Sequence, residues 1–577
     1  MAHLAVGLIA LPFIVRQNSW FEWANTLWLL DLQTAHVAAH GLPTYFIDAP
    51  SQFFYPNFVF YAGTTFSVLA YPAVVLGTWP VFAAATAGAF VAASAGVSWT
   101  ARNLDVPSRL AILPGVLFAL TPYTVSNLYG RGAWTELIAV GALSVAVGAA
   151  TSLIFARARN TPWTVAVLAL AVAAVAGTHN ITLLFSALVA PLLALSLLPL
   201  LHAPRRELIR RHLLVLAGAA TGVALCGVFL APDIWLSGRT VVSTIAHSLL
   251  KRLNRFDSFS MIFNPVLGQP HLTTPTGLHT ETLVVPLVWL AVTAGIALRR
   301  RLLSLRTAIA LAMIGTTGAA LALLITHPAW WLSFPSALQE IQFTFRLVTF
   351  LALFTVLGVI ALLATPSVQR SRLAIIALLL SCVWQVGLAT NLALTAKARG
   401  GEPLPAPTPS NVRAGVAPPA FTPNLLQARQ FRLVAHHPLS PPELPAQVGP
   451  TGDDTPPEIV LTGSGPTGTL VATDVVASPL IHVAGQASVA GASADGYEVL
   501  RVNSVTPAHK WRATVSPACN SCLRALAGGA PLALLAGKLA TLVGALALLG
   551  LILAGGRSRR HRGIRAPTDS GADEGLS

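Results

Sequence analysis

Charge is what this sequence has least of. Only 10% of its 577 residues are Asp, Glu, Lys or Arg, against 54% hydrophobic residues, and the mean hydropathy is +0.68. A soluble chain of this length needs far more polar surface. The composition therefore excludes an ordinary water-soluble globular protein and leaves a polytopic membrane protein. Cysteine is scarce too, at four. Cys226 and Cys382 fall in apolar runs and read as core residues, whereas Cys519 and Cys522 form a single CxxC. With no second CxxC, the spacing lacks the ligands of a structural zinc site. A small disulfide in an oxidising compartment is favoured over a redox pair. Also missing are a solenoid-type repeat, an inverted repeat and an acidic residue in the middle of any apolar run. No small-residue cleavage site follows the first run. These absences argue against a solenoid, an ion-coupled transporter and a cleaved signal peptide.

What is present is a succession of apolar runs of membrane-spanning length. They predict about twelve spans, near 2–16, 79–99, 109–122, 136–156, 162–178, 180–200, 213–232, 282–298, 307–326, 345–364, 372–393 and 528–555. The net charge of +15 suggests a polyanionic partner until its distribution is followed. Nineteen of the 36 Lys and Arg lie in the short segments ARNLDVPSR, FARARN, APRRELIRRH, LRRRLLSLR, VQRSR and RSRRHRGIR. Short basic loops mark the cytoplasmic side, so the charge reports topology and points to no nucleic acid. The tail is then cytoplasmic, and 395–525 lies outside. The stretch FVFYAGTTFSVLAYPAVVLG (58–77) is apolar enough to cross, yet crossing would make 17–57, with its interfacial SWFEWANTLW, cytoplasmic. A juxtamembrane or re-entrant helix there keeps 17–57 outside; a true span with different pairing upstream is the alternative.

Residues 395–525 change character. A Pro-rich approach leads into short β-branched runs (EIVLT, TLVATDVV, PLIHVAG, YEVLRVNS and HKWRATVS) separated by Gly, Ser, Pro and Asp. That punctuation predicts a small β-sandwich-like domain. The expected fold is an all-α polytopic membrane protein with this extracytoplasmic β domain before its last span. In segments, 1–394 is a transmembrane module with an external first loop at 17–78, and 395–525 is the β-rich domain. The last span takes 526–556, and 557–577 is a basic, disordered cytoplasmic tail.

Ionisable residues on the outer side are few and grouped: Asp31, His36, His40 and Asp48 in the first loop; Arg131 and Glu136 in YGRGAWTE; His179 and Asn180 between two spans. Arg239, Lys251, Arg252, Arg255 and Asp257 follow, then Glu340, Gln342 and Arg346. Each has a structural reading. Asp31 caps or pairs on an interfacial helix, and Glu136 sits at the positive dipole end of its helix beside Arg131. His179 and Asn180 end one helix and begin the next. Gln342 and Arg346 snorkel. As a set they carry more weight, because ionisable groups near membrane depth are costly and mark sites. The KRLNR run opposes the topology rule, and a basic pocket beside lipid suits a phosphate headgroup, whose oxygens Arg binds bidentately. Asp31, Arg131, Glu136, Gln342 and Arg346 are expected to converge on one outward-opening cavity.

DLQTAHVAAHGLPTYFIDAPSQFFYPNFVFY resembles the opening of the bacterial and archaeal polytopic proteins called "6-pyruvoyl-tetrahydropterin synthase-related" membrane proteins. That pattern has an Asp, a His, a Gly-x-Pro and a Tyr-Pro before an apolar run. The family's Arg-Gly-Ala and later Glu are matched by Arg131-Gly132-Ala133 and Glu136, and its Gln-Phe-x-x-Arg by Gln342-Phe343 and Arg346. Where such proteins often show Pro-Trp, this chain has Thr344-Phe345. The architecture is similar to the GT-C glycosyltransferases, which use polyprenyl-phosphate-linked sugars. That resemblance implies an acidic first-loop residue, Asp31, as general base or as an aid to a divalent metal ion. It implies His36 as a sugar or metal contact, and a glycan or glycolipid acceptor in the cell envelope. Arg131, Arg346, Lys251, Arg252 and Arg255 would hold the phosphate, with Glu136 holding Arg131 or a sugar hydroxyl. A lipid or glycan transporter and a non-catalytic scaffold for envelope assembly are the rival readings.

Overall fold

The computed structural model describes residues 2–16, 22–49, 52–158, 160–237, 258–267, 279–327, 344–396, 458–517 and 532–563, with a few isolated positions between them. It is mostly helical, 72%, with a small β region near the C-terminus. Helix α1 is Ala2–Arg16, α2 Glu22–His40, α3 Gly63–Leu76 and α4 Thr78–Asn103. Helix α5 is Ser108–Ala119, α6 Pro122–Tyr129, α7 Trp134–Ile154 and α8 Thr161–Thr178. Helix α9 is Asn180–Leu197, α10 Arg205–Leu225, α11 Gly227–Leu236 and α12 Val284–Arg299. Helix α13 is Leu305–Thr326, α14 Val348–Leu363, α15 Arg372–Thr395 and α16 Leu532–Gly563. Among the described residues nine helices are long and apolar enough to cross a membrane, or ten if α5 and α6 form one bent span.

Each predicted run is helical over most of its described residues, but Ala2–Arg16 and Val284–Arg299 are shorter than the spanning helices, and three others differ in form. The run at 109–122 continues to Tyr129 with a 50° bend. Pro122 cannot donate to the preceding turn, and Thr121 restarts the helix by accepting the Thr124 N–H at 3.3 Å. The run at 213–232 begins earlier, at Arg205, and breaks at the buried Cys226 into α10 and α11. The last helix continues to Gly563, into the segment expected to be a disordered tail. Within the bundle, α4 and α7 pack through glycines. A Cβ on Gly96 would lie 2.3 Å from the Ser144 backbone, and one on Gly141 would lie 2.6 Å from the Ala89 carbonyl. Small residues of this kind let helices approach where lipid supplies no hydrophobic drive.

Side-chain contacts fix which helix ends lie together. Arg157 bonds Asp105 at 2.6 Å, Arg211 donates to the Ile154 carbonyl at 2.9 Å, and Asn160 donates to the Gly555 carbonyl at 2.8 Å. Phe185, early in α9, meets Phe350, early in α14, at 6.2 Å. The Ile325 carbonyl at the end of α13 accepts from Thr344. The basic segments around 102–109, 157, 205–211, 299–306, 370–372 and the end of α16 therefore share one end of the bundle. Helix α1 runs antiparallel to α4, with His3 bonded to Ser94 at 2.9 Å and Phe13 against Trp79 at 6.0 Å. Residues 17–77 thus leave and re-enter the bundle at the end opposite the basic one, and α3, at 14 residues, lies within that excursion.

The β region holds β3 (Gln447–Val448), β4 (Ile459–Ser464), β5 (Leu470–Val476), β6 (Ile481–Gly485), β7 (Ala487–Ala492), β8 (Tyr497–Val502) and β9 (Lys510–Pro517). Two further strands, β1 (Ile47–Ala49) and β2 (Gln52–Tyr55), come from the first loop, some four hundred residues earlier. The sheets run β1-β2-β5-β8-β7 and β3-β4-β9-β6, with Phe53 opposite Val475 in the parallel β2–β5 pair. Phe46, Phe54 and Phe60 of the loop, Leu236 of α11 and Leu534 of α16 join one buried cluster with Leu461, Val471, Leu500 and Trp511. The first loop and the late strands therefore share one sheet and one buried cluster.

Candidate functional site

The turn Gly130–Ala133 separates α6 from α7. Gly132 adopts the left-handed region (φ +75°), which a side chain disfavours, and this lets the chain reverse sharply. Glu136 then falls in the first turn of α7, where the helix dipole favours a carboxylate. Arg131 Nη1 donates to Glu136 Oε2 at 3.4 Å, and Arg346 Nε lies 3.3 Å from the same oxygen. The Tyr123 hydroxyl donates to Oε1. Arg346 arrives on a 3-10 turn, Thr344–Leu347, set beside α6 by the edge-on contact of Phe345 with Tyr123 at 6.2 Å. Side-chain exposure is 2% for Glu136, 7% for Arg346 and 14% for Arg131, so Arg131 marks the more accessible side. An aromatic wall of Phe82 and Phe66 stacked on Trp134 backs the cluster.

His179 caps α9 by accepting the Thr182 N–H at 3.3 Å, and it also feels the charges of Arg346, Glu136 and Arg131. Asn180 donates to Asp233 of α11. These two line a water-sized cavity of about 10 Å³ with Thr64, Gly177 and Cys226. Asp31 sits elsewhere: it accepts from Thr78, the first residue of α4, at 2.8 Å. Burial raises its carboxyl above the usual range, with the Thr78 bond opposing. Trp134, beside the cluster, bonds Thr86, two turns further along α4. Thr78, which bonds Asp31, and Thr86, which bonds Trp134, are thus about 12 Å apart along that helix. His36 lies against His40 with the rings tilted and 4.6 Å apart, and burial together with the His40 charge pushes its ring down to about 4.

Of the five residues expected in one cavity, three meet: Arg131, Glu136 and Arg346. Asp31 is bonded to a different helix end, and Gln342 lies outside the described residues, as do Lys251, Arg252 and Arg255, Glu340, Cys519 and Cys522. Among the described residues no group of three His, Cys, Asp or Glu is placed to hold a metal ion. Sequence reasoning missed Tyr123 and Asp233, which lie within or at the end of apolar runs. It also missed a buried strap, His279–Leu283, where His279 Nδ1 lies 3.2 Å from the Glu281 carboxylate. Ser126 anchors that strap by bonding both the N–H and the carbonyl of His279.

Chemically, two guanidiniums held by one carboxylate, itself bonded by a phenol, make a preorganised cradle for oxyanions. Glu136, engaged on both oxygens, positions the arginines and is poorly placed to take a substrate proton. Helices of this length and apolarity are compatible with a multi-pass membrane protein carrying a small β region. Compared with known protein families, curated proteins and solved structures, the chain matches none of them.

Proposed function

We propose that the chain is a multi-pass membrane glycosyltransferase, with its basic end cytoplasmic and its β unit outside. It would transfer a sugar from a polyprenyl-phosphate donor to an envelope glycan or glycolipid. The observation that carries this reading is the convergence of Arg131 and Arg346, 215 residues apart in sequence, on buried Glu136 at the end of the bundle away from the basic segments. Holding charge there is costly without a task, and a lipid-borne phosphate supplies one. Asp31, bonded at the start of α4, and the arginine cluster at the start of α7 suit a ligand with an anion at one end and an uncharged polar part at the other.

In this reading the acceptor hydroxyl attacks the anomeric carbon and the bond from that carbon to the phosphate oxygen breaks. The hydroxyl proton passes to Asp31, and the released phosphate rests on Arg131 and Arg346. Burial favours Asp31 as a base because it raises the proton affinity of the carboxyl. The test is to give nanodisc-embedded protein a labelled polyprenyl-phosphate hexose with an envelope glycan fraction. A glycosidic product is expected, reduced roughly 10²- to 10⁴-fold by Asp31→Asn. No product from the wild type, with labelled lipid scrambled between leaflets instead, sinks the enzyme reading in favour of transport.

A further inference from the structure

Asn127 is fully buried, and neither its amide nitrogen nor its amide oxygen has a hydrogen-bond partner among the described residues. Native interiors rarely leave both halves of an amide unmatched, because each orphaned group keeps its desolvation penalty. The residue occupies a telling address. On α6 it lies one turn beyond Tyr123, which bonds Glu136, so it shares the helical face that meets the arginine cluster. Its neighbour Ser126 anchors the strap, and three residues along that strap the buried Thr282 hydroxyl is a second polar atom without a partner. Two elements held together at Ser126 thus each carry an unmatched polar group.

Resting on the reading above, we propose that Asn127 is a specificity-determining residue that hydrogen-bonds a hydroxyl of the ligand whose phosphate the two arginines hold. The donor–acceptor balance selects the hydroxyl. A carboxamide offers N–H donors and a carbonyl acceptor, and both are unmatched here. A phosphate oxygen only accepts and would leave the carbonyl orphaned, whereas a hydroxyl both donates and accepts. Asn127 therefore distinguishes a sugar-bearing lipid phosphate from a bare one, in the way that sites built to bond a hydroxyl reject the analogue lacking it.

The experiment compares full-length protein in nanodiscs for binding of polyprenyl phosphate and of polyprenyl-phosphate hexose, with a thermal melt of each variant. Asn127→Leu should weaken the sugar-bearing lipid about tenfold or more while leaving the bare phosphate lipid within about twofold. Its melting midpoint should stay level or rise, because an unmatched amide is replaced by an apolar side chain of similar size. Arg131→Gln should weaken both lipids. Asn127→Ala, which likewise removes both the donor and the acceptor, is read the same way should the leucine variant not fold. Equal loss for both lipids with a lowered melt marks Asn127 as structural and overturns the inference, while the glycosyltransferase reading stands. An unchanged preference for the sugar-bearing lipid overturns it too. A wild type that binds neither lipid removes both.

Discussion

Glu136 is the residue on which the cluster turns. A buried carboxylate shared by two guanidiniums stabilises little in net terms, yet removing it leaves two cations in a poorly solvated site. Glu136→Gln should therefore lower stability by about 3 kcal/mol, read as a drop in the melting temperature of the purified protein. Arg346→Met in the same background should recover part of that loss, and additive losses would show that the two side chains are not coupled. A second carboxyl acts at a distance from the bundle. Glu498, in β8, is 5% exposed, and burial pushes it up to about 7 despite the Ser478 N–H that it accepts at 3.2 Å. Below pH 4.5 it is protonated in folded and unfolded chains alike. Between 4.5 and 7 the unfolded chain ionises while the folded one keeps its proton, so stability falls as pH rises, by about 3 kcal/mol in all. Glu498→Gln should remove that slope. Hydrogen exchange over 458–517 should find the variant better protected than wild type at pH 8 and equal to it at pH 4, and equal protection at both would contradict the assignment.

At the scale of elements, the long helices were legible because twenty apolar residues in a row have few other uses. The bend in the second span was not, since Leu120, Thr121 and Pro122 sit in an apolar run whose hydropathy hides the break. Helix α2 was hard to see for the opposite reason: Asp31, Gln33, His36 and His40 interrupt the tryptophans and leucines, so no apolar stripe stands out. Arg131 and Glu136 were readable because charge beside lipid is conspicuous. Tyr123 and Asn127 were not, because a phenol and an amide amid valine and leucine look like ordinary filling. The β2–β5 pairing left no local signal at all. Its energetic weight is testable through Phe54, which is 2% exposed in the shared β core. Phe54→Ala should destabilise the β unit by about 3–5 kcal/mol. The expected sign is faster limited proteolysis within 458–517, four hundred residues from the substitution. Unchanged proteolysis would mean that the late strands fold without the loop.

For the whole molecule, the dominant asymmetry is between a basic end and an end carrying the first loop, the arginine cluster and the β unit. The proposed orientation places the first in the cytoplasm. Single cysteines at Asp105 and Asp495, in a background with Cys519 and Cys522 changed to serine, separate the two sides in intact cells. An impermeant thiol reagent should label position 495 and leave 105 untouched. The reverse pattern would turn the protein over and strand Asp31 on the wrong side for a lipid-linked donor assembled outside. The shared β core also sets a clock. Phe53 leaves the ribosome 422 residues before its partner Val475, which at ordinary synthesis rates is a wait of roughly 20 to 80 s. For that interval Phe46, Phe54 and Phe60 have no sheet to enter, and the β unit cannot close. The strands that finish the first loop are therefore made late, and a message cut short before Val475 leaves that loop without its sheet.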